Sequence, residues 1–501
     1  GGGQTQKTKM PKKKRHGLLK KTEAFIPRCE HPKPQFQRED WINLNGEWTF
    51  CFDFCRSGEE RGLHKSKGFE DKILVPFCPE SELSGVGFKD FIECIWYHRE
   101  IYIPQSWRRK KILLHFGAVD YQTELFIDGV FLGRHFGGSS SFHFDVTSHV
   151  VPGKSHSLVL RVCDFCRSGL QPIGKQSNKF ASARCSYTRT TGIWQTVWLE
   201  ATGESAIKSV QMISDIERGE FIFIPSFFNS KRGMKLRTKI YSGRTCVCHY
   251  ENLATDGIPY RCEIRDPQLW SPDRPFLYDM EFELLTGDKI IDKVRSYGAM
   301  RKIHIDGNRI YLNDRLCYLR FVLDQGFYPD GIWTAPSDQA LMRDINLAKK
   351  AGFNGARLHQ KVFEERFHYW ADKLGYLTWA EFPSWGADHN SPLAARNFLS
   401  EWTECVLRDR NHPSIIAWTP LNETGFISDK AQHNRLHVDL YDITKGLDPT
   451  RPVNDSSGYI HVKTDLWTVH NYEQNPKTLK EQLNPKTNGV VIWRNYPDKE
   501  C

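Results

Sequence analysis

Hydrophobic and polar positions alternate in short runs between residues 41 and 203, and Gly, Pro and Asp interrupt these runs at close intervals. Alternation with a period of two is typical of half-buried β-strands, and frequent turn residues favour antiparallel connections. In the stretch FIDGVFLG, Asp128 and Gly129 can supply the positive φ angles that a two-residue hairpin turn requires. The pattern therefore predicts an antiparallel β-sandwich.

A second region of short strands covers residues 204–299 and includes the runs KSVQMIS, KLRTKIYSG and FLYDMEFELL. Residues 266–278, DPQLWSPDRPFLY, are rich in Pro and Asp and predict a rigid connection between strands. A length of about one hundred residues suits an immunoglobulin-like sandwich, which is the prediction for this region.

The period of the pattern changes after Met300. Apolar residues take helical spacing in residues 335–352, with Ser337 as the predicted N-cap and Gly352 as the predicted end. Strand and helix patterns then alternate with short loops, which indicates parallel β/α units and favours a closed barrel over an open sheet. The predicted barrel strands lie near Leu316, Ala356, Leu377, Ile416, Val453 and Trp467.

One apolar run, IIAWTPL at residues 415–421, is followed directly by Asn422 and Glu423. In a parallel barrel, functional groups stand where the strands end at the carboxyl-terminal face. These two side chains are therefore predicted to point into a site rather than into the core. The alternative is that Glu423 only caps the following turn.

The formal net charge of +9 is concentrated near the N-terminus, where residues 7–21 are rich in Lys and Arg and contain no acid. A solvated, disordered tail is the prediction; a nuclear-type address or a polyanion contact are the alternatives. No run is long and apolar enough for a membrane span, and the start has no signal-peptide core. A cytoplasmic protein without a membrane partner is expected.

The 14 cysteines do not indicate a disulfide framework in a chain of 501 residues. Cys163 and Cys166 form one close pair, and Cys246 and Cys248 form another. Neither pair has a second Cys or His pair at the short spacing that a structural zinc site needs. No cofactor is expected, and a magnesium requirement stays open because no cluster of acids and His stands out.

Several motifs in order resemble glycoside hydrolase family 2, the group of β-galactosidases, β-glucuronidases and β-mannosidases. Residues 408–425, RDRNHPSIIAWTPLNETG, look like the acid/base signature of this family. Residues 188–200, TRTTGIWQTVWLE, look like the last strand of its sugar-binding domain, and PFCPESELSG with WYHREIYIP is similar to its early strands. The resemblance extends from about residue 34 to residue 497.

The resemblance implies a multidomain fold of β and α/β parts. After the basic tail at 1–26, which the charge pattern predicts, it consists of a jelly-roll sugar-binding domain at 27–203, an immunoglobulin-like domain at 204–299, and a (β/α)8 TIM barrel at 300–501. It also implies a retaining, exo-acting β-glycosidase, in which one carboxyl group protonates the glycosidic oxygen and a second attacks the anomeric carbon.

By the same resemblance, Glu423 is the acid/base and Asn422 hydrogen-bonds the 2-hydroxyl of the sugar. Weaker candidates for substrate contacts also lie at predicted strand ends, and for some of them a packing or loop-orienting role is the alternative. They are Asp324, Arg357, His359, Trp385, His470 and Tyr472. Ser186 stands where the family often carries an Asp that reaches the active site, so a substrate contact from the first domain is not expected there.

The nucleophile of the family is a Glu in a short [ST]-E-[FY]-G-G segment that ends the seventh barrel strand. After Tyr472 the only apolar run is GVVIW at 489–493, and no carboxylate follows it directly. Asp498 and Glu500 have neither a preceding strand nor a following Gly. The chain is therefore expected to stop before the nucleophile, as an incomplete barrel with about six strands and exposed sheet edges.

The leading functional prediction is a retaining exo-β-glycosidase acting on a carbohydrate, with a galactoside or glucuronide preferred by analogy. The alternative is a catalytically inactive, carbohydrate-binding relative of the same family. A nucleic-acid binder ranks third because it depends only on the basic tail, so no nucleic-acid partner is expected. A homo-oligomer stays open.

Overall fold

The computed structural model describes residues 25–484 and residue 486. The basic run at 7–21, the apolar run at 489–493, Asp498 and Glu500 lie outside the described residues. Within the described part, none of the helices has the length and apolar content needed to cross a membrane.

The first region is a sandwich of a four-stranded sheet, in the order β1-β12-β5-β9, and a six-stranded sheet, in the order β3-β2-β4-β10-β7-β8. A continuous core between them buries Trp48, Tyr97 and Leu125. The strands are β1 (Trp41–Asn43), β2 (Gly46–Phe52), β3 (Asp71–Val75), β4 (Cys94–Tyr102), β5 (Lys111–Phe116), β6 (Val119–Asp120), β7 (Gln122–Ile127), β8 (Val130–Phe136), β9 (Phe142–Asp145), β10 (Ser155–Cys163), β11 (Gly192–Ile193) and β12 (Val197–Thr202).

The structure confirms the predicted hairpin between β7 and β8. Asp128 has φ of 49° and Gly129 has φ of 80°, as a two-residue turn of this type requires. The turn pairs Ile127 with Val130 and starts an antiparallel ladder that runs to Phe136.

The second region is a smaller sandwich of a three-stranded and a four-stranded antiparallel sheet, in the orders β13-β14-β17 and β16-β15-β18-β19. Its core packs Phe223, Leu236 and Phe282 between the sheets. The strands are β13 (Ala206–Asp215), β14 (Glu220–Phe228), β15 (Lys235–Ser242), β16 (Thr245–Leu253), β17 (Tyr260–Glu263), β18 (Tyr278–Thr286) and β19 (Lys289–Gly298).

The expected barrel strand near Leu316 is wrong. Three short strands, β20 (Ile303–Asp306), β21 (Arg309–Leu312) and β22 (Arg315–Leu316), form a separate antiparallel sheet. Asn313 and Asp314 both have positive φ, 53° and 62°, so the chain turns back and pairs Leu316 with Tyr311. Because Asn and Asp favour such a turn, the segment at Leu316 forms a hairpin strand and not a barrel strand.

The third region contains a four-stranded parallel sheet whose strands alternate with helices, as predicted. Ser337 caps the first helix by accepting a hydrogen bond from the backbone N–H of Ala340, and Gly375 ends the second helix with φ of 70°. The elements are β23 (Phe321–Asp324), α1 (Asp338–Lys350), β24 (Gly355–Leu358), α2 (Glu365–Leu374), β25 (Leu377–Glu381), α3 (Pro392–Asp409), β26 (Ile415–Thr419), β27 (Leu421–Asn422), α4 (Lys430–Leu447), β28 (Ser456–Ser457) and α5 (Pro476–Gln482).

The apolar run before Glu423 is not one strand. Pro420 has no N–H to donate to a ladder, and it separates β26 from β27. β27 then pairs in parallel with β28, so the fifth strand position is occupied by Ser456 and Ser457, and Val453 forms only a single bridge to Trp418.

The strand expected near Trp467 is absent from the described residues, where 461–475 form no strand. Loop hydrogen bonds replace a ladder there; Thr468, for example, donates its hydroxyl to the backbone oxygen of Ser456 and accepts from Gly458 N–H. Among the described strands, the parallel set does not close into a ring.

Candidate active site

Glu423 follows β27 in a conformation that residues other than Gly seldom adopt. Its φ is 47°, and its backbone N–H donates to the oxygen of Ser457 at 3.0 Å. Such conformations persist only where surrounding contacts hold them, and they cluster at functional sites. The side chain thereby leaves the core and stands at the carboxyl ends of the parallel strands, as predicted.

Both side-chain partners of Glu423 contact the same carboxylate oxygen, Oε1. His470 Nδ1 lies 2.5 Å from Oε1, and the Tyr472 hydroxyl donates to Oε1 at 3.3 Å. Burial raises the pKa of this carboxyl, but hydrogen bonding and charge interaction with His470 outweigh burial and lower the pKa below its ordinary value. The structure thus brings three of the sequence-predicted residues together.

His470 is itself held from the other side. Its Nε2 lies 3.0 Å from the hydroxyl of Ser457, and Gly458 leaves room for the ring, since a Cβ there would lie 2.8 Å from it. Tyr472 differs from His470 in exposure, because 75% of its surface remains accessible. His470 is therefore held in place on one side of Glu423, whereas Tyr472 lies on the solvent-exposed edge of the site.

Asn422 is buried, and Arg357 fixes the orientation of its amide. Arg357 Nη2 donates to Asn422 Oδ1 at 2.6 Å, whereas Asn422 Nδ2 has no hydrogen-bond partner among the described residues. A buried amide donor without a partner is costly unless a ligand supplies an acceptor. Asn422 therefore presents a donor next to Glu423.

Glu381, which ends β25, is a site residue that sequence reasoning missed. Arg357 Nε donates to it at 2.7 Å, His359 Nδ1 lies 3.0 Å away, and Gln360 donates both its backbone and side-chain N–H at 3.1 Å. Burial opposes ionisation, but Arg357 and His359 lower the pKa of this carboxyl to about 2. Glu381 is an ionised anchor that holds the neighbouring side chains in place.

Two of the weaker candidates have structural partners. Asp324 accepts the backbone N–H of Gly326 at 2.9 Å, which is the geometry of a loop-orienting residue. Burial raises its pKa. His359 is buried beside Glu381 and packs edge-on against Trp385, with ring centroids 6.3 Å apart. Asp324 therefore orients its own loop, and His359 holds Glu381 and packs against Trp385.

Trp385 lies at the mouth, but a face of its indole ring is already in contact with a cation. The Nζ of Lys175, from the loop between β10 and β11, lies 3.9 Å from the ring centroid. Trp385 Nε1 donates to the backbone oxygen of Asn422 at 3.2 Å. Sequence reasoning missed Lys175, because nothing in its local pattern indicates that the first domain reaches the barrel.

The first domain does reach this region, although Ser186 is not the residue that does so. Ser186 pairs with Ala183 in a backbone turn within its own loop. Ile173 N–H donates to Trp385 O at 2.8 Å, and Gly174 N–H donates to Pro383 O at 3.1 Å. The loop of Lys175 is thus attached by its backbone to the loop that follows β25.

A cavity of about 410 Å³ opens beside Glu423. A larger cavity, of about 610 Å³, lies where both sandwiches meet the helices, but Glu423 does not line it. Several charged groups of the larger cavity pair with one another, as Arg38 does with Glu200 at 2.7 Å. The smaller cavity is the candidate active site, and its lining includes Ser384, Trp385, His389, Asn422, Glu423 and Tyr459.

Within residues 25–484, one group of buried side chains has donor atoms close enough for a metal ion, namely Glu365, Asp409 and His412, within 4.8 Å of one another. Arg408 already binds both oxygens of Asp409, at 2.6 and 2.7 Å, and compensates its charge. His412 precedes β26 and Glu423 follows β27, so the group lies at the opposite end of this pair of consecutive strands. It has no direct part in the site at Glu423.

Three models of one protein family match consecutive segments of the chain. Residues 89–203 match the sugar binding domain of glycosyl hydrolases family 2, residues 230–301 match a second model of that family, and residues 303–491 match its TIM barrel domain. The chain belongs to glycosyl hydrolase family 2. This confirms the predicted family and the order of its sugar-binding, central and barrel domains.

Curated relatives of this family 2 chain include glycosidases with two different names. It is 25% identical to a β-galactosidase of Thermoanaerobacter pseudethanolicus over 82% of the chain, and 24% identical to a β-glucuronidase of Paenibacillus borealis over 84% of the chain. The chain spans 54% of the length of the first relative and 74% of the second.

Solved structures show the same fold. A β-glucuronidase from Ruminococcus gnavus, in complex with D-glucaro 1,5-lactone, superposes with a TM-score of 0.74 at 21% identity. The match covers 83% of this chain and 72% of that structure.

Proposed function

We propose that the chain forms the acid/base side of a retaining exo-β-glycosidase site, with a terminal β-galactoside or β-glucuronide as substrate. The observation that carries the proposal is the group around Glu423, an accessible carboxylate beside the unpaired amide donor of Asn422 in a cavity of about 410 Å³. The names of the glycosidase relatives support the reaction class.

The chemistry assigned to Glu423 is proton donation. As the bond between the anomeric carbon and the glycosidic oxygen breaks, the leaving oxygen keeps the electron pair and takes the proton of Glu423. Asn422 Nδ2 donates to a sugar hydroxyl, and this contact strengthens as positive charge develops on the ring. Arg357 positions Asn422, because its Nη2 donates to Asn422 Oδ1 while its Nε is held by Glu381.

The proposal includes a nucleophilic carboxylate from outside the described residues. A retaining site needs a second carboxylate about 5–5.5 Å from the first. Among the described residues, Glu381 is a poor candidate, because its negative charge is compensated by Arg357 and its oxygens accept four hydrogen bonds from Arg357, His359 and Gln360.

A cytoplasmic location remains part of the proposal and follows only from the sequence.

Azide tests the role of Glu423 and the source of the nucleophile together. If the chain supplies only the acid, added azide attacks the anomeric carbon directly and converts an aryl β-glycoside into the α-glycosyl azide, while hydrolysis without azide stays slow. Glu423→Gln should then abolish azide-dependent cleavage of substrates with poor leaving groups. The products are distinguished by NMR of the anomeric proton.

The other outcomes are separable. Rapid hydrolysis without azide, together with β-glycosyl azide formation by Glu423→Ala, would keep Glu423 as the acid and place the nucleophile within the chain. Binding of sugars without cleavage under either condition would contradict the proposal. It would favour the second candidate, an inactive carbohydrate-binding relative.

One observation favours that second candidate. The contact with His470 keeps Glu423 ionised over a wider pH range, whereas a general acid must be protonated at the working pH. A binding protein has no such requirement.

A further inference from the structure

Lys175 is buried at the mouth of the site without a polar partner. Only 4% of the residue surface is exposed, yet its Nζ has no hydrogen-bond acceptor and no ion pair among the described residues. The contact that the structure gives this ammonium is the Trp385 ring, 3.9 Å away. The aliphatic stem is buried and the ammonium still reaches the surface, so an anionic ligand can approach it.

The position of Lys175 is set by two interlocking loops. Gly174 has φ of 62°, and a Cβ at this position would lie 2.4 Å from the backbone oxygen of Gln360. Gly386 makes the reciprocal approach, where a Cβ would lie 2.3 Å from Ile173. Two glycines thus let the loop of the sugar-binding domain press against the barrel, so Lys175 is a built part of the mouth rather than a mobile surface residue.

The other charged groups around Glu423 are compensated. Arg357 is paired with Glu381 at 2.7 Å, and Glu423 is paired with His470. Lys175 is close enough to Glu423 to favour its ionised form, but the structure gives no direct contact between them. In the described part of the mouth, Lys175 is therefore the cation whose charge a ligand can still satisfy.

We propose that the ammonium of Lys175 binds the carboxylate of a uronic acid, so that the site prefers β-uronides to neutral β-glycosides. This inference deepens the proposed function and rests on it. A carboxylate next to Lys175 would form a charge-assisted hydrogen bond in a site largely shielded from water, which is stronger than the bond of a neutral hydroxyl. The face of Trp385 would then hold the ammonium in place for the ligand.

The alternative role of Lys175 is purely structural. Its aliphatic stem and cation–π contact could do no more than fasten the two loops. Lys175→Met separates the two roles, because it keeps an unbranched apolar stem of similar length and removes the charge. Lys179→Met is the matched control, since Lys179 is an exposed lysine in the same loop.

The test is a calorimetric titration with two lactones that differ only at C6, D-glucaro-1,5-lactone with a carboxylate and D-glucono-1,5-lactone with a hydroxyl. Wild type should bind the carboxylate ligand about 10-fold or more tightly than the neutral one. Lys175→Met should lose this preference and keep its affinity for the neutral lactone. Lys175→Arg should retain part of the preference, and Lys179→Met all of it.

Each result decides between defined possibilities. An unchanged preference in folded Lys175→Met, or equal affinity of wild type for both lactones, would overturn the role of Lys175 and leave the proposed function intact. If wild type binds neither of these gluco-configured lactones nor D-galactono-1,5-lactone, the proposed glycosidase site itself is wrong. A thermal unfolding scan identifies any variant that has failed to fold, and Lys175→Arg then provides the decisive comparison.

Discussion

Glu381 ends β25 and Glu423 follows β27, so both stand at the carboxyl ends of parallel strands, yet their surroundings differ in opposite directions. The Glu381 side chain is fully buried, and four hydrogen bonds reach its two oxygens. The Glu423 side chain is 14% exposed, and both of its partners contact the same oxygen. A strand end therefore does not by itself make a carboxylate chemically available.

The two carboxylates differ in how many of their hydrogen-bond acceptor positions are occupied. A carboxylate that accepts several hydrogen bonds from an arginine, a histidine and a glutamine is stabilised in its ionised form and cannot readily exchange a proton. A carboxylate with one oxygen turned to a cavity can do so. Arg357 connects the two groups, because it donates to Glu381 and also to Asn422, which precedes Glu423.

The largest expected effect is a crossover between two glutamine variants. Glu423→Gln should lower azide-dependent cleavage of a substrate with a poor leaving group by about 10²–10⁴-fold, with little change in the unfolding temperature. Glu381→Gln should lower the free energy of unfolding by about 3–5 kcal/mol, because it leaves the Arg357 charge without its partner. Enzyme kinetics and thermal unfolding of both variants test this crossover. Equal loss of stability in the two variants would end the distinction.

Much of this arrangement could be predicted from sequence patterns. The spacing of apolar residues predicted the α/β region, the Ser337 cap and the Asp128 and Gly129 hairpin, because each depends on local geometry. Glu423 was found because an apolar run ends on it and a family motif surrounds it. The same first signal was available for Glu381, since YLTWAE also ends on a carboxylate, but its saturation by Arg357 and His359 depends on side chains from another strand.

The remaining errors were also tertiary in origin. Leu316 was assigned to the barrel because its apolar character does not reveal that the turn at Asn313 and Asp314 folds it onto β21. Lys175 lies 210 positions before Trp385 in the chain, and its contact exists only because Gly174 allows two domains to approach closely. No local pattern contains this information.

A smaller effect concerns stability in acid. The pKa of Glu381 is about 2 in the folded protein, below the ordinary value of 4.5. The stability it contributes is therefore fully present above about pH 4.5 and is lost as the pH falls toward 2. Glu381→Gln should remove this contribution, so the difference in unfolding temperature from wild type should narrow between pH 4.5 and pH 3. A constant difference across that range would mean that folding does not lower the pKa of Glu381.

The smallest expected effect concerns the pKa of Glu423, which depends mainly on one neighbour, His470, whereas Glu381 has several partners. His470 lowers the pKa of Glu423, and Tyr472 and Lys175 act on it in the same direction. A general acid works in its protonated form, so activity should fall as the pH rises through the pKa of Glu423. His470→Leu should raise this pKa, and the limb on which activity falls should therefore move to higher pH. His249→Gln, an exposed histidine in β16, is the control and should leave the limb in place. If the pH dependence of activity is the same in His470→Leu and in wild type, the proton that limits the reaction does not belong to Glu423. Glu423 would then not be the general acid.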